Sequence, residues 1–376
     1  MVPAYNMETY LGRCVESLIA AKRNDDIEVL IIDDGSSDGT LAMAKSFEQR
    51  HPGVVRAIHQ DNKGHGGAVN TGIAAASGMY VKVVDADDWV GAESLELVMA
   101  TLREEAERTD PIDMLVTNYV YDKVGKIVKH VVNFRRAMKS DERLTWNDLG
   151  HFGLAEYILM HALTFRTAVV RASGMQLPEH TFYVDFIYAY QPFPWVKTIK
   201  YLDTPFYHYF IGRDGQSVQT DVMIRRVDQL RLVNQYMVRA TPERGTVPEG
   251  LYRYMIHFLA IETSVASVFM ILSRKPENYA KKKEMWADIK VYSPSMYADV
   301  RKKAMSRALN LRGSIGRFVI RNGYFVAEHV VGFNVSRPNR SRLRRTTGSV
   351  PAIRHRETVA HKIAGRIQHV VEQFRG

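Results

Sequence analysis

The sequence predicts an α/β protein, a mostly parallel sheet wound with helices and followed by a C-terminal helical extension. Three observations predict it. Strand-like and helix-like segments alternate through the first 110 residues, the rhythm of a sheet with crossover helices. The strand-like runs are apolar almost throughout, as strands covered on both faces are. They also run directly into clusters of acids, glycines and serines, which places those polar groups at the sheet rim where open α/β folds bind ligands.

Residues 1–6 read as the end of a strand. Residues 9–21 carry Leu11, Val15, Leu18 and Ile19 at helical spacing. Residues 27–32, apolar except for Glu28, read as a buried strand. The cluster Asp33-Asp34-Gly35-Ser36-Ser37-Asp38-Gly39 is a turn, with Asp38 placed to cap a helix over 40–50. A short strand over 54–59 follows, and Lys63-Gly64-His65-Gly66-Gly67 leads into a helix over 68–76. Residues 81–84 are a strand and 92–108 a helix.

After Pro111 the pattern changes. Residues 113–121 and 126–133 read as strands around Lys123-Val124-Gly125. Helical and aromatic-rich segments follow to Trp195, then a strand over 201–211 and helices over 221–237 and 248–272. Two amphipathic segments, 299–321 and 357–374, flank a linker-like Ser336-Arg337-Pro338-Asn339-Arg340-Ser341-Arg342.

A chain of 376 residues can bury a full core and makes two domains, or one with an extension. The reading divides it at 1–110, 111–220, 221–300 and 301–376. Its one cysteine, Cys14, excludes an intrachain disulfide and fits a reducing compartment. The start, Met-Val-Pro, lacks the basic and apolar regions of a signal peptide. The apolar stretch 256–272 is interrupted by His257, Glu262 and Thr263 and is shorter than the ~20 residues of a spanning helix, so it reads as a core helix. Residues 301–376 carry a net charge of +14 against −4 for the rest. Such a tail seeks a polyanion. Leu309, Ile315, Phe318, Val319 and Ile320 beside Arg312, Arg317 and Arg321 suit a helix lying on anionic lipid. Nucleic acid is the poorer partner, because no binding module accompanies the charge.

The most informative stretch is Asp85-Ala86-Asp87-Asp88, which ends the strand over 81–84. Carboxylates at a sheet rim suit a hard cation such as Mg²⁺ or Mn²⁺, which takes one or two of them together with substrate phosphates. The glycines at 64, 66, 67 and 72 let backbone approach a phosphate, but no G-x-x-x-x-G-K-[ST] and no dinucleotide fingerprint is present. Kinase and dehydrogenase chemistry are therefore disfavoured.

Taken in order and spacing, Val2-Pro3-Ala4-Tyr5-Asn6, the segment from Ile31 to Thr40, Asn70-x-Gly72-Ile73-x-x-Ala76-x-Gly78-x-Tyr80 and Val84-Asp85-Ala86-Asp87-Asp88 closely resemble family 2 glycosyltransferases of the GT-A fold, over roughly residues 1–215. The resemblance implies inverting transfer of a sugar from a nucleotide-diphosphate donor, most often a UDP-sugar, with Mg²⁺ or Mn²⁺. It implies that Pro3 and Tyr5 line the base pocket and that Asp34 bonds the base. Asp85 and Asp87 form the D-x-D element, with Asp87 the foremost cation ligand and Asp88 a second. The family's general base maps to Asp185 in Phe182-Tyr183-Val184-Asp185-Phe186, where Val184 departs from the usual Glu. In Tyr207-His208-Tyr209-x-x-x-Arg213, His208 is a candidate further metal ligand and Arg213 a diphosphate clamp. A second departure is the start: only Met1-Val2 precede the first motif, so either the gene start is trimmed or this strand is short.

The expectation is a cytoplasmic enzyme, peripheral on the inner face of the membrane, that extends a surface polysaccharide or glycolipid. One alternative transfers sugar to a polyprenyl phosphate. Another is a non-catalytic nucleotide-sugar-binding or membrane-scaffolding protein.

Overall fold

The structure, a computed structural model, describes residues 1–23, 25–123, 129–211 and 219–310, together with Arg317, Ile320 and Arg321. Arg213, the linker over 336–342, the helix over 357–374 and most of the segment past 310 lie outside the described residues.

The first half alternates as the apolar runs dictate: β1 Val2–Ala4, α1 Leu11–Ile19, β2 Val29–Asp33, α2 Thr40–Arg50, β3 Val55–His59, α3 Gly64–Ala75, β4 Tyr80–Val81, β5 Trp89–Val90 and α4 Ala92–Ala106. Strands β1, β2 and β3 form a parallel sheet in that order. Every residue of β1 and β2 is buried, because helices cover both faces. Asp38 accepts a hydrogen bond from the Thr40 backbone at 3.0 Å, satisfying a first-turn donor of α2.

The glycine segment differs from the sequence reading, for it forms the first turn of α3 rather than a loop before it. Tertiary contact explains this. A Cβ on Gly66 would lie 2.6 Å from the Pro178 carbonyl oxygen, so the helix approaches residues 177–180 only where side chains are missing.

The second half holds β6 Met114–Lys123, β7 His130–Val132, β8 Arg143–Leu144, β9 Leu163–Arg166, α5 Thr167–Ala172, α6 Asp185–Tyr190 and β10 Ile199–Ile211. These join β4 and β5 in a mixed sheet along β4-β9-β6-β10-β5, with β7 on β6 and β8 on β10. Among the described residues only the β6–β10 pair of this sheet is parallel. The two sheets adjoin where the Met1 ammonium donates to the Lys82 carbonyl and the Val84 amide donates to the Met1 carbonyl.

A helical layer follows: α7 Thr220–Arg225, α8 Val227–Ala240, α9 Glu249–Leu272, α10 Pro276–Tyr292, α11 Pro294–Lys302 and α12 Ala304–Leu309. Among the described residues α9 is the one helix long and apolar enough to cross a membrane, yet most of it is buried against its neighbours. The segment over 299–321 is not one helix, since the chain turns extended at Lys303 between α11 and α12. Leu309 and Ile320 are buried against Ile271 of α9, so these two apolar groups face the protein rather than a lipid surface.

Candidate active site

The carboxyl ends of β1, β2 and β4 bring the three N-terminal motifs to one rim. Asn6, just past β1, adopts a left-handed backbone (φ 53°), a conformation asparagine tolerates better than most residues. From there its Oδ1 accepts the Ser37 amide at 2.9 Å, and its own amide donates to Ser36 Oγ at 3.0 Å. Tyr5 is half exposed, whereas Pro3 is buried in the sheet opposite Ile32.

Asp33 and Asp34 divide the work. Asp33 is fully buried and its Oδ2 meets His59 Nδ1 at 2.6 Å, a contact that joins the ends of β2 and β3. Asp34 uses Oδ1 to accept Gln60 Nε2 (2.7 Å) and the Lys63 amide (2.9 Å). That second bond draws the start of α3 against the β2 loop and sets the position of His65, two residues on.

His65 Nε2 lies 2.9 Å from Asp85 Oδ1. Burial would lower the pKa of this histidine. The hydrogen bond to Asp85 and the charges of Asp85, Asp185 and Asp87 outweigh it and leave the pKa raised. In the sequence this residue stands out only as part of a glycine-rich segment; no local pattern signals the contact.

The acidic loop is braced from several sides. Arg13 of α1 stacks over the Trp89 ring at 3.7 Å and donates to the Asp87 carbonyl at 2.8 Å. Tyr207 of β10 donates its hydroxyl to Asp88 Oδ2 while accepting the Asp85 amide at 3.1 Å. The Phe210 amide donates to Asp88 Oδ1 at 2.7 Å. Asp88 is fully buried, and burial, then the neighbouring Asp87 and Asp85 charges, raise its pKa well above the usual range despite those two bonds.

The segment bearing Asp185 is clamped onto α3. Asn70 donates to the Leu177 carbonyl (2.9 Å) and accepts the Leu177 amide (3.0 Å), and the His180 amide donates to the Lys63 carbonyl (2.9 Å). Tyr183 takes a left-handed backbone (φ 66°) immediately before α6, which opens on Asp185. Burial pushes the Asp185 carboxyl up to about 6; the His65 charge opposes that and the Asp85 charge adds to it. Phe182, beside it, is 40% exposed with the Arg226 guanidinium 3.3 Å over its ring.

His208, expected as a further cation ligand, lies elsewhere. Successive residues of a strand point to opposite faces. On β10, Tyr207 faces Asp88, while His208 faces the other way, stacked on Trp89 (5.2 Å between ring centres) with Nδ1 3.6 Å from Asp122 Oδ2. Among the described residues the histidine that joins Asp85 and Asp88 is His161, in the short 3₁₀ turn Met160–Ala162. Ligand atoms of these three residues lie within 4.8 Å of one another. The His161 Nδ1 is buried, with no hydrogen-bond partner among the described residues. Two carboxylates and an imidazole at this separation fit a divalent cation, with Asp87 adjacent in the same loop.

A family model described as "Glycosyl transferase family 2" matches residues 1–155, which hold Pro3, Tyr5, Asp34, His65 and the acidic loop. The match covers the first 155 of the 376 residues. Chondroitin synthase of Escherichia coli is 35% identical over 144 residues, which cover 38% of the chain and 20% of that protein. An uncharacterized glycosyltransferase of E. coli K12, YibD, is 27% identical over 222 residues, 58% of the chain and 62% of YibD. The chain thus spans less than two thirds of these relatives' lengths. Among solved structures, Staphylococcus aureus TarS 1-349 in complex with UDP-GlcNAc aligns with a TM-score of 0.59 over 86% of this chain and 90% of TarS 1-349, at 19% identity. At that identity the likeness is one of fold, and the fold is the GT-A type. The expected α/β class, the flanking helices and the C-terminal helical region all agree with it.

Proposed function

We propose that this protein is a family 2, inverting glycosyltransferase that moves a sugar from a nucleotide-diphosphate donor, a UDP-sugar, to a glycan or glycolipid acceptor in cell-surface polysaccharide synthesis. One observation carries the reading: Asp34, His65, Asp85 and Asp185, from four separate segments, are drawn to one rim by a connected set of bonds.

In this reading Tyr5 stacks on the base and Asp34 accepts the uracil imide N–H. Asp85, Asp87 and Asp88 hold Mg²⁺ or Mn²⁺, which when bound neutralises charge on the departing diphosphate. Arg213 is proposed as a clamp on that diphosphate. Asp185 takes the proton from the acceptor hydroxyl as it attacks the anomeric carbon. Its partly desolvated carboxyl, raised to about 6, is a stronger base than a surface aspartate and is still ionised at neutral pH. The exposed Phe182 ring gives an acceptor sugar an apolar face beside that base. The name of the chondroitin synthase relative supports a polysaccharide product, and the UDP-GlcNAc bound to TarS supports a uridine donor. The charge of residues 301–376 supports a cytoplasmic enzyme held at an anionic membrane face.

The test is thermal denaturation with UDP, GDP, CMP and dTDP, each with and without Mn²⁺. Ligands that bind only the folded state raise its melting temperature. The expected result is a rise with UDP that requires Mn²⁺ and disappears in Asp87→Ala. No rise with any nucleotide overturns the reading.

A further inference from the structure

We propose that His161 supplies a nitrogen ligand to the cation of this site, and that this ligand biases the site towards Mn²⁺ over Mg²⁺. The inference rests on the donor reading above for the presence of the ion, and on the following geometry for the ligand.

His161 is 5% exposed, yet among the described residues its Nδ1 has no hydrogen-bond partner. A buried polar atom left unpaired is unfavourable, so this nitrogen is free to meet a ligand. The ring is also held. It stacks on Tyr209 (4.4 Å between centres) and meets Tyr207 edge-on (4.8 Å), while its backbone carbonyl accepts Lys82 Nζ at 2.7 Å. Tyr207 is the same residue that grips Asp88 and the Asp85 amide. One side chain therefore fixes the imidazole, the Asp88 carboxylate and the Asp85 backbone relative to one another, which is how a ligand set is pre-organised.

The separation suits an ion. Bonds of about 2.1 Å put ligands on opposite sides of a small cation about 4.2 Å apart. The three ligand atoms lie within 4.8 Å of one another.

The donor set decides the metal. Carboxylates and water serve Mg²⁺ and Mn²⁺ alike, whereas imidazole is a poor ligand for Mg²⁺ and a better one for first-row transition ions. A nitrogen in the shell therefore lets this site discriminate where an all-oxygen D-x-D would not.

The experiment uses the full chain with UDP and Mn²⁺, and pulsed electron paramagnetic resonance to detect nitrogen coupled to the bound ion. Uniform ¹⁵N-histidine labelling identifies the nitrogen as histidine. Wild type and His208→Asn are expected to show the coupling, and His161→Asn to lose it. His65→Asn controls for the other histidine that touches Asp85. Competition between Mg²⁺ and Mn²⁺, read from the same resonance, is expected to show the preference for Mn²⁺ falling roughly tenfold or more in His161→Asn. Bound Mn²⁺ without histidine coupling in wild type overturns the inference and leaves the donor reading standing, even if the variant fails to fold. Coupling lost only in His208→Asn or His65→Asn overturns it too. Absence of any bound Mn²⁺ with UDP overturns both.

Discussion

Replacing Asp185 by asparagine should move activity and stability in opposite directions. The wild-type carboxyl is raised from 3.8 to about 6, chiefly by burial. Between those values the folded protein holds a proton that the unfolded chain has released. Stability from this group therefore declines as pH rises through about 4 to 6, and stays at its lowest above pH 6. About two pH units at 1.36 kcal/mol each give about 3 kcal/mol as the ceiling. The carboxyl is partly open to cleft water, which screens the effect, so roughly 1–3 kcal/mol is the expected cost of keeping it ionised. Asparagine has no charge to desolvate. Asp185→Asn should thus be more stable than wild type by that amount at pH 8 and equal to it at pH 4, read by urea denaturation at both values.

Turnover should fall by roughly 10²–10⁴, the usual contribution of a general base. In wild type the rate should decline as pH drops through about 6. If Asp185→Asn is no more stable than wild type at pH 8, the carboxylate is well solvated and the argument for its enhanced basicity is wrong. If it turns over donor at the wild-type rate, Asp185 is not the base.

Tyr207→Phe removes the hydroxyl that donates to Asp88 and accepts the Asp85 amide, leaving a buried carboxylate oxygen unpaired. It should cost about 1–3 kcal/mol in urea denaturation and weaken UDP-dependent Mn²⁺ binding. Gly66→Ala places a Cβ 2.6 Å from the Pro178 carbonyl oxygen, a backbone contact that cannot swing away. It should lower stability by roughly 1–3 kcal/mol and, by pushing α3 off the Asp185 segment, lower kcat more than it raises KM for donor. Glu262, buried in α9 with Asn234 donating to it, has its pKa pushed up to about 8 by burial. Its contribution to stability is lost as pH rises from about 4.5 to 8, so Glu262→Gln should flatten the fall in melting temperature over that range.

The rim acids were legible in the sequence because each is announced by its own neighbours. An apolar run that stops at an acid says both that a strand ends and that the acid lies past its end, and β2 with Asp34 follows that rule, whereas β4 stops at Val81, three residues before the expected end at Val84, and Asp85 follows a non-strand link. Asp185 is legible by family resemblance alone, since its place depends on Asn70 clasping Leu177 across more than a hundred residues and leaves no local pattern. The four residues of β9 are too few for a period to emerge, and their strand character comes from pairing with both β4 and β6.

The histidines show most clearly where sequence reasoning stops. Tyr207-His208-Tyr209 reads as an aromatic strand with one metal-capable side chain, and nothing within the tripeptide says which face meets the acids. Pairing decides it: β10 aligns Tyr207 with Tyr119 of β6 and with Val90 of β5, and that register turns Tyr207 towards Asp88. A shift of one residue would have exchanged the faces. The imidazole that reaches Asp85 and Asp88 comes instead from a three-residue turn 76 positions beyond Asp85, with no spacing to advertise it. A ligand set gathered by register rather than by motif is found only by asking which buried polar atoms the fold leaves unpaired, and His161 Nδ1 is one of them.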